Sequence, residues 1–371
     1  MRVLVINETL DLGGAETMAL GLANALNDIP GNQVAFASSD GVLLNRLAKS
    51  VRYFPIARYK LLNIITLFFE FRMIVRELNP DVIHSQGATM GIVAGIAARI
   101  FSPRTKVVVT HHAIGFTRVP VGLANCLLKF SVDGFIALSR AEYNSYMRNG
   151  FGKEKVFLIP NFIDRNSLLL QAADGNVADV RLSVGVLPRE RVIIGVGRLL
   201  AAKRFDVFLT TLFECARHDP QTRILGIILG DGPERQHLQE IIDQLDLPNL
   251  RLKLLGFRND VATYLKMADI FLFPSEHEEV LPMCLIEATA LGVPVVCSDI
   301  PGNNDIVEHS RNGFLVDVKK KDYSAFVLQL LQDESLRKRF GVHGIAKAEK
   351  CYDKNKVVVD ILAVYESLVS L

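Results

Sequence analysis

Two positively charged side chains follow a pair of glycines in the second half of the sequence. Gly195 and Gly197 enclose one valine, Arg198 comes next, and Lys203 lies a few residues further on. A guanidinium and an ammonium group beside the start of the following helix suit a diphosphate, which they would hold without a metal ion. Two solvated charges on a loop are the alternative. The position directly after Gly-x-Gly favours the diphosphate site.

Two carboxylates occur close together later in the chain. Glu279 lies in the loop after a predicted strand, Ile270–Phe273, and Glu287 lies in the predicted helix Met283–Leu291. Carboxylate oxygens accept hydrogen bonds from neighbouring hydroxyl groups, so this pair suits a polyol or a sugar. The structural alternative is a buried carboxylate that faces helix donors.

Gly13 and Gly14 come directly before the first predicted helix. Adjacent glycines let the backbone approach a bulky anion, and a helix N-terminus favours negative charge. A tight turn without a ligand explains the pair equally well. The segment is not Gly-x-Gly-x-x-Gly, which disfavours a dinucleotide-dependent oxidoreductase.

His111 and His112 follow the predicted strand Val107–Thr110. A histidine at a strand end could bond a substrate hydroxyl or phosphate. No Asp, Glu or Cys stands nearby at ligand spacing, which disfavours a metal site. A histidine bonded to the backbone is the structural alternative.

Composition limits the class of protein. The 371 residues carry a net charge of +2, with 50% hydrophobic and 22% charged residues, which excludes a disordered chain and does not suggest a nucleic-acid binder. The five cysteines are scattered, which argues against a disulfide framework or a zinc site and fits a reducing cytosol. The first residues read as a buried strand and not as a signal peptide. No apolar run reaches the roughly 20 residues of a membrane span.

The charge is unevenly distributed. Residues 1–165 hold 18 Lys/Arg and 12 Asp/Glu, a net of +6, and the remainder has a net of −4. Segments 58–76 and 118–130 mix apolar and basic residues at helical spacing. Such segments could contact an anionic membrane surface and meet a lipid-linked acceptor. Core helices with a solvated basic face, in two unevenly solvated domains, are the alternative.

Short β-branched runs alternate with helical patterns, which predicts parallel sheets wrapped by helices. The alternation restarts midway, so we predict two doubly wound α/β domains with a boundary near residues 159–164, a connector over 165–190 and a final helix over 355–371. Two such domains facing across a cleft would line it with their strand ends. The predicted strands are Val3–Ile6, Val34–Ala37, Val82–His84, Val107–Thr110, Gly134–Leu138, Val192–Val196, Ile224–Leu229, Leu252–Leu255, Ile270–Phe273 and Val293–Cys297.

In their order and spacing these motifs resemble the retaining glycosyltransferases of family 4, which have the GT-B fold. The resemblance covers essentially the whole chain. It rests on GGAE at 13–16, DVIH at 81–84, T-x-H at 110–112, IPN at 159–161, GxGR…K at 195–203, GDGP at 230–233, EVLPMCLIE at 279–287, GVPVV at 292–296 and NGFLV at 312–316.

The resemblance implies an acceptor-binding domain over 1–165, a nucleotide-sugar-binding domain over 166–350 and a helix over 351–371 that crosses back to the first domain. It implies transfer of a hexose or N-acetylhexosamine from a nucleotide sugar, with UDP favoured over GDP by family prevalence, in surface polysaccharide or glycan biosynthesis. The acceptor would be a glycan or a lipid-linked glycan. No metal or other cofactor is expected. The enzyme would be cytoplasmic, in peripheral contact with the inner face of the membrane.

Residue roles follow from the same resemblance. Arg198 and Lys203 would hold the diphosphate, Glu287 the ribose and Glu279 the sugar. Gly13 and Gly14 would close over the diphosphate, and the loop with Phe257 and Arg258 would contact the nucleobase. His112 would lie near the reacting centre, with His111 as the alternative.

The sequence departs from the family pattern at two places. The usual Glu-Gly-Phe-Pro reads Glu279-Val280-Leu281-Pro282, which predicts a narrower sugar pocket or a turned backbone, and the usual Lys-Gly reads Lys203-Arg204. Two alternatives stay open. One is another GT-B enzyme, such as a sugar-nucleotide epimerase or a phosphorylase, and the other is a non-catalytic nucleotide-sugar-binding subunit.

Overall fold

A computed structural model describes residues 1–11, 13–59, 63–112, 121–174, 176–276, 279–320 and 322–370. The chain divides into two compact units. The first comprises Met1–Phe162 together with Lys354–Leu371, and the second comprises Ile163–Asp353. Each unit has its own parallel sheet and its own apolar core.

Within the described residues of the first unit, seven strands form a parallel sheet. They are β1 Arg2–Ile6, β2 Gln33–Ser38, β3 Arg52–Pro55, β4 Val82–Ser85, β5 Lys106–Thr110, β6 Gly134–Ala137 and β7 Val156–Leu158. The helices of this unit are α1 Gly14–Asn27, α2 Ile64–Leu78, α3 Ala88–Phe101, α4 Val121–Ser131, α5 Arg140–Arg148 and the returning α15 Lys354–Val369. The strand order is β3-β2-β1-β4-β5-β6-β7.

The second unit has, in the part of it that is described, a six-stranded parallel sheet of order β10-β9-β8-β11-β12-β13. Its strands are β8 Arg191–Val196, β9 Ile224–Leu229, β10 Leu250–Leu254, β11 Ile270–Phe273, β12 Val295–Ser298 and β13 Gly313–Val316. Its helices are α6 Arg165–Asp174, α7 Val177–Val184, α8 Phe205–His218, α9 Arg235–Gln244, α10 Val261–Met267, α11 Met283–Ala290, α12 Asn303–Ile306, α13 Tyr323–Gln332 and α14 Glu334–Cys351.

The central strands are buried on both faces, which is why they read as continuous apolar runs. Residues 270–273 of β11 and 224–229 of β9 are all buried. Helices cover both faces of a parallel sheet, so every side chain of a central strand meets apolar neighbours. This packing fixes the strand ends that carry the polar loops.

The predicted connector over 165–190 is wrong. This stretch contains α6 and α7, separated by Gly175, which lies outside the described residues. Asn176 begins α7 by accepting a hydrogen bond from the amide of Ala178, and Gly185 ends it at a φ of 71°. Weak apolar periodicity hid both helices, although this Asn…Gly pair is a usual helix start and stop signal.

The basic and apolar segments predicted for membrane contact are partly described. Lys60 and Arg118 lie outside the described residues, whereas α2 and most of α4 lie within them. None of the helices formed by the described residues is long and apolar enough to cross a membrane.

Candidate active site

In the second unit the predicted anion- and sugar-binding residues follow two neighbouring strands. β8 pairs with β9 on one side and with β11 on the other, so the strand order reverses between β8 and β11. In open α/β sheets this reversal is where ligands bind, at the carboxyl ends of the strands. Arg198 and Lys203 follow β8, and Glu279 follows β11.

Lys203 and Glu279 are in direct contact. The Lys203 ammonium group forms an ion pair with Oε1 of Glu279, and the Ser275 hydroxyl donates to the same oxygen over 2.8 Å. The ammonium nitrogen also lies 5.2 Å from the ring centre of Phe273, the last residue of β11. Both charged side chains are mostly buried, with 20% and 17% of their surface exposed. They form a fixed polar cluster. Residues 277 and 278 of the same loop lie outside the described residues.

Arg198 and Arg204 differ in what they can offer a ligand. The Arg198 side chain is exposed and has no hydrogen-bond or ion-pair partner in the described part of the chain. Arg204 bonds Asp206 over 2.9 Å and forms an ion pair with Glu276, and these bonds raise the pKa of its guanidinium. Arg198 is therefore the available guanidinium.

Glu287 has a carboxyl group with no hydrogen-bond partner among the residues described here. It lies in the second turn of α11 and is half-buried. Desolvation raises its pKa to about 7. The neighbouring Cys284 thiol lies within electrostatic reach of Lys203, Glu279 and Glu287, so Glu287 belongs to the same cluster. A desolvated carboxyl group without a partner suits ligand hydroxyl groups.

Two glycines outside the predicted site set its shape. Gly302 has a φ of 86°, and a Cβ there would collide with the carbonyl oxygen of Glu279. Gly230 has a φ of 140°, and a Cβ there would collide with the carbonyl oxygen of Gly197. Only glycine fits these close approaches. The signal was present in the sequence, because PGNN at 301–304 and GDGP at 230–233 both follow predicted strands.

Phe257 and Arg258 follow β10 at the same edge of the sheet. Phe257 is 45% exposed, and the Arg258 guanidinium lies 5.8 Å from the ring centre of Tyr264. Gly256 turns the chain at a φ of 73° and accepts a hydrogen bond from the amide of Gly230 over 2.8 Å. An exposed aromatic ring such as that of Phe257 is a surface on which a base can stack.

In the first unit, Gly13 and Gly14 lie at the start of α1. Gly13 is extended with a φ of −176°, so its backbone does not itself require glycine. A Cβ there would meet the carboxylate of Glu16, whose pKa is raised by burial. Both glycines are exposed, next to the first amides of a 14-residue helix. The pair thus leaves the helix N-terminus open to an anion.

His112 belongs to a buried hydrogen-bonded chain that sequence reasoning missed. Its Nε2 lies 2.7 Å from Oε1 of Gln86, and the amide nitrogen of Gln86 lies 3.2 Å from Nε2 of His84. His84 contacts Oγ1 of Thr110 at 2.7 Å and Oη of Tyr365 at 2.5 Å. Burial lowers the pKa of His84 and of His112 to about 3, so both rings are neutral near pH 7.

His111, the alternative to His112, is buried, and burial lowers its pKa to about 4. Within the described residues, no three His, Cys, Asp or Glu side chains come together as a metal-binding group.

Two family descriptions match the chain, one in each half. "Glycosyltransferase Family 4" matches residues 12–167, and "Glycosyl transferases group 1" matches residues 181–347. With the two doubly wound sheets, these matches define the class: the chain belongs to the family 4-type glycosyltransferases of the GT-B fold. It is a glycosyltransferase.

Named relatives are distant. The N-acetyl-alpha-D-glucosaminyl L-malate synthase of Bacillus anthracis is 24% identical over 79% of this chain and 76% of its own length. The Escherichia coli UDP-Gal:alpha-D-GlcNAc-diphosphoundecaprenol alpha-1,3-galactosyltransferase is 26% identical over 79% and 77%. The crystal structure of Anabaena HepE in complex with UDP and glucose superposes with a TM-score of 0.84 at 24% identity, with all of both chains covered.

Proposed function

We propose that the protein is a retaining glycosyltransferase that moves its sugar from a UDP-sugar to a glycan or lipid-linked acceptor without a metal ion. The observation that carries this proposal is the Lys203–Glu279 ion pair beside the available Arg198, where the second sheet reverses its strand order. Two cations at one strand edge suit a diphosphate. UDP is supported by two similar proteins, HepE with its bound UDP and the E. coli galactosyltransferase with its UDP-Gal donor.

Each site residue receives one role in this proposal. Arg198 and Lys203 bind the diphosphate, and Glu287 accepts hydrogen bonds from the ribose hydroxyls. Glu279 binds the sugar, held in place by Lys203 and by the Ser275 hydroxyl. The nucleobase stacks against Phe257 and Arg258. Gly13 and Gly14 approach the diphosphate, and His112 contacts the donor sugar.

The reaction we propose is front-side displacement. The acceptor oxygen bonds the anomeric carbon on the face from which the diphosphate leaves, and the bond from that carbon to the diphosphate oxygen breaks. The departing diphosphate oxygen takes the acceptor proton, so no carboxylate nucleophile is needed. Arg198 and Lys203 stabilise the negative charge that develops on the leaving group.

Thermal unfolding with nucleotides tests the donor site. The protein is melted with UDP, GDP, ADP and their sugar conjugates, with and without EDTA. A ligand at about 100 times its dissociation constant stabilises the folded state by about 2.7 kcal/mol. We expect a rise in Tm with UDP and UDP-sugars that EDTA does not reduce. A rise abolished by EDTA contradicts the metal-free site, and no rise with any nucleotide contradicts the donor site.

Product analysis then separates transfer from its alternatives. An epimerase isomerises the donor without an acceptor, and a non-catalytic subunit binds UDP without turnover. A phosphorylase carries a Lys-bound pyridoxal cofactor that is visible by absorbance. Retention is tested by NMR of the anomeric proton of the product, and an inverted linkage overturns the front-side mechanism.

We place the acceptor at an anionic membrane surface on its cytoplasmic side. One face of α2 exposes Ile65, Phe69 and Met73, at 69%, 50% and 70%, spaced one turn apart. On the same helix the Arg72 and Arg76 guanidinium groups lie 5.2 and 5.1 Å from the ring centre of Phe101. Apolar side chains beside arginines suit an acidic bilayer interface, and residues 1–165 have a net charge of +6.

Vesicle flotation tests this contact. We expect the protein to float with acidic vesicles at low salt, and not with zwitterionic ones. The double variant Phe69→Ser/Met73→Ser should lose flotation. The matched control Leu182→Ser/Val342→Ser removes two side chains of similar exposure from the second unit and should float normally. Equal flotation of both double variants, or none by the wild type, excludes the α2 surface.

A further inference from the structure

The hydrogen-bonded chain of side chains that links His112 to Tyr365 constrains which ring nitrogens of His84 and His112 carry a proton. A neutral imidazole has one nitrogen that donates and one that accepts, and an amide has a donor end and an acceptor end. Gln86 contacts Nε2 of both rings, so its oxygen can serve only one of them and its nitrogen the other. The tautomers of His84 and His112 are therefore opposite to each other.

The orientation of Gln86 selects one of the two combinations. Its oxygen lies 2.7 Å from Nε2 of His112, so that nitrogen carries the proton and donates. Its amide nitrogen and the Thr110 hydroxyl both approach Nε2 of His84, which accepts. Nδ1 of His84 then carries the proton and donates to Oη of Tyr365 over 2.5 Å. The proton position on His112 is thus read from its partners.

Three of these side chains, those of His84, Gln86 and Tyr365, are buried. His84 and Tyr365 are 1% and 0% exposed, and their rings meet edge to face with centres 5.7 Å apart. Gln86 is buried immediately after β4, and the backbone amide of Gln86 donates to the carbonyl of Ile6 over 2.8 Å. Because burial disfavours unpaired donors, rotating the amide of Gln86 requires both histidines to change tautomer.

We propose that Gln86 is a positioning residue that holds the proton of His112 on Nε2 and leaves Nδ1 as a hydrogen-bond acceptor. Nδ1 has no partner among the described residues. A lone pair accepts from a hydroxyl group and repels a phosphate oxygen, so His112 contacts a hydroxyl of the donor sugar and not the diphosphate. Tyr365, on the returning helix α15, fixes the far end of the chain. This inference rests on the sugar-contacting role proposed above for His112.

The test reads the tautomers directly in the ligand-free protein. Long-range ¹H–¹⁵N correlation spectra distinguish a protonated ring nitrogen from an unprotonated one, and His112→Asn and His84→Asn assign the two rings. We expect a protonated Nε2 on His112 and a protonated Nδ1 on His84. A protonated Nδ1 on His112 overturns the proposal, whether or not the protein transfers sugar.

Variants of Gln86 and Tyr365 test the cause. Gln86→Leu should give His112 a mixture of tautomers and lower kcat about tenfold or more, by analogy with losing a ligand-orienting partner. Gln86→Glu keeps an acceptor for Nε2 of His112 but removes the donor to Nε2 of His84, so the proton of His112 should stay on Nε2 while that of His84 is no longer fixed by residue 86. Tyr365→Phe should also produce a mixture of tautomers. The control Tyr53→Phe removes a hydroxyl that is bonded to the Ser38 carbonyl in the same unit, and it should not produce one.

The outcomes separate this inference from the proposed function. A single tautomer that depends on Gln86, in a protein that binds no nucleotide sugar, supports the positioning role and rejects the transferase site. An unchanged tautomer and an unchanged kcat in a folded Gln86→Leu variant reject the positioning role, even if transfer is demonstrated. Melting curves confirm that each variant is folded.

Discussion

Lys203 and Glu279 lie 76 residues apart in the chain and form an ion pair at the strand reversal of the second sheet. Each neutralises the other before any ligand arrives, and the Ser275 hydroxyl shares the carboxylate. A diphosphate therefore meets a lysine whose position is already set, which lowers the ordering cost of binding.

Removal of the lysine should reduce turnover. We expect Lys203→Ala to lower kcat by on the order of 10²-fold or more, because a preorganised charge near the leaving group is lost. Steady-state kinetics with the UDP-sugar measures the effect. Lys338→Ala removes an exposed lysine that is paired with Glu334 on α14, and it should keep wild-type kcat. Near-normal turnover in Lys203→Ala rejects the assigned role.

The carboxyl group of Glu287 should make nucleotide affinity depend on pH. Its pKa of about 7 in the free protein means that it is half-protonated near neutrality. Ribose hydroxyls donate to the ionised form, so binding favours loss of the proton and weakens as the pH falls through 7. We expect the Kd for UDP to rise about tenfold from pH 8 to pH 6.

Calorimetric titration of wild type and Glu287→Gln separates this effect from protonation of the nucleotide. The variant should bind more weakly at pH 8 and should lose the additional pH dependence. Parallel curves for the two proteins indicate that Glu287 does not bind the nucleoside.

Glu142 should destabilise the first unit as the pH rises from 4.5 to about 8. Its Oε2 accepts from the amide of Leu138 over 2.7 Å, its Oε1 is buried without a partner in the described part of the chain, and burial raises its pKa to about 8. The folded state keeps this proton up to about pH 8, whereas the unfolded chain loses it near its ordinary value of 4.5. Stability is therefore lost as the pH rises through this window, by roughly 1 kcal/mol per pH unit.

The substitution Glu142→Gln keeps an acceptor for Leu138 and cannot ionise. Its Tm should exceed that of wild type at pH 8, and the difference should shrink toward pH 5. Differential scanning calorimetry across this range measures both curves. A constant difference in Tm shows that Glu142 does not titrate in the window.

Gly302 should be intolerant of a side chain because it lies against the backbone of Glu279. Gly302→Ala adds a Cβ against the Glu279 carbonyl, at a φ of 86°. We expect an unfolding cost of about 1 kcal/mol from the backbone conformation, together with a loss of donor affinity as the Glu279 loop shifts. Gly31→Ala has the same backbone problem, with a φ of 88°, but nothing lies within 4 Å of its Cβ. It should lose stability and keep donor affinity. If both variants bind the donor normally, the Glu279 loop does not need Gly302.

The sequence was sufficient to predict the strands whose side chains are buried on both faces. The observed bounds of β9 and β11 are those predicted, because central strands of a parallel sheet need unbroken apolar runs. Three strands were missed, namely β3, β7 and β13. β3 contains Arg52 and is partly exposed, and β7 has three residues, so neither gives a clear pattern. β13 lies in a motif, NGFLV, that was recognised without being assigned a strand.

The residues of the candidate site also divide into those that the sequence predicts and those that it does not. Charged residues in loops after strands, such as Lys203 and Glu279, were found because strand ends share one edge of a sheet. Gln86 and Tyr365 were not found, since a contact between His84 and a residue 281 positions later leaves no local pattern. Arg204 was noticed only as a departure from Lys-Gly. Its φ of 51° shows why glycine suits that position, and the ion pairs with Asp206 and Glu276 hold the arginine there.

The second unit is an insertion within the chain of the first, which is completed only by residues 354–370. The whole second unit is therefore translated before Tyr365, the hydrogen-bond partner of His84. A fragment ending at Phe162 would lack the terminal hydroxyl of the histidine chain, and its His112 would not report on the protonation of the full protein. The hydrogen-bonded chain of the first unit is therefore completed only after the second unit has been translated.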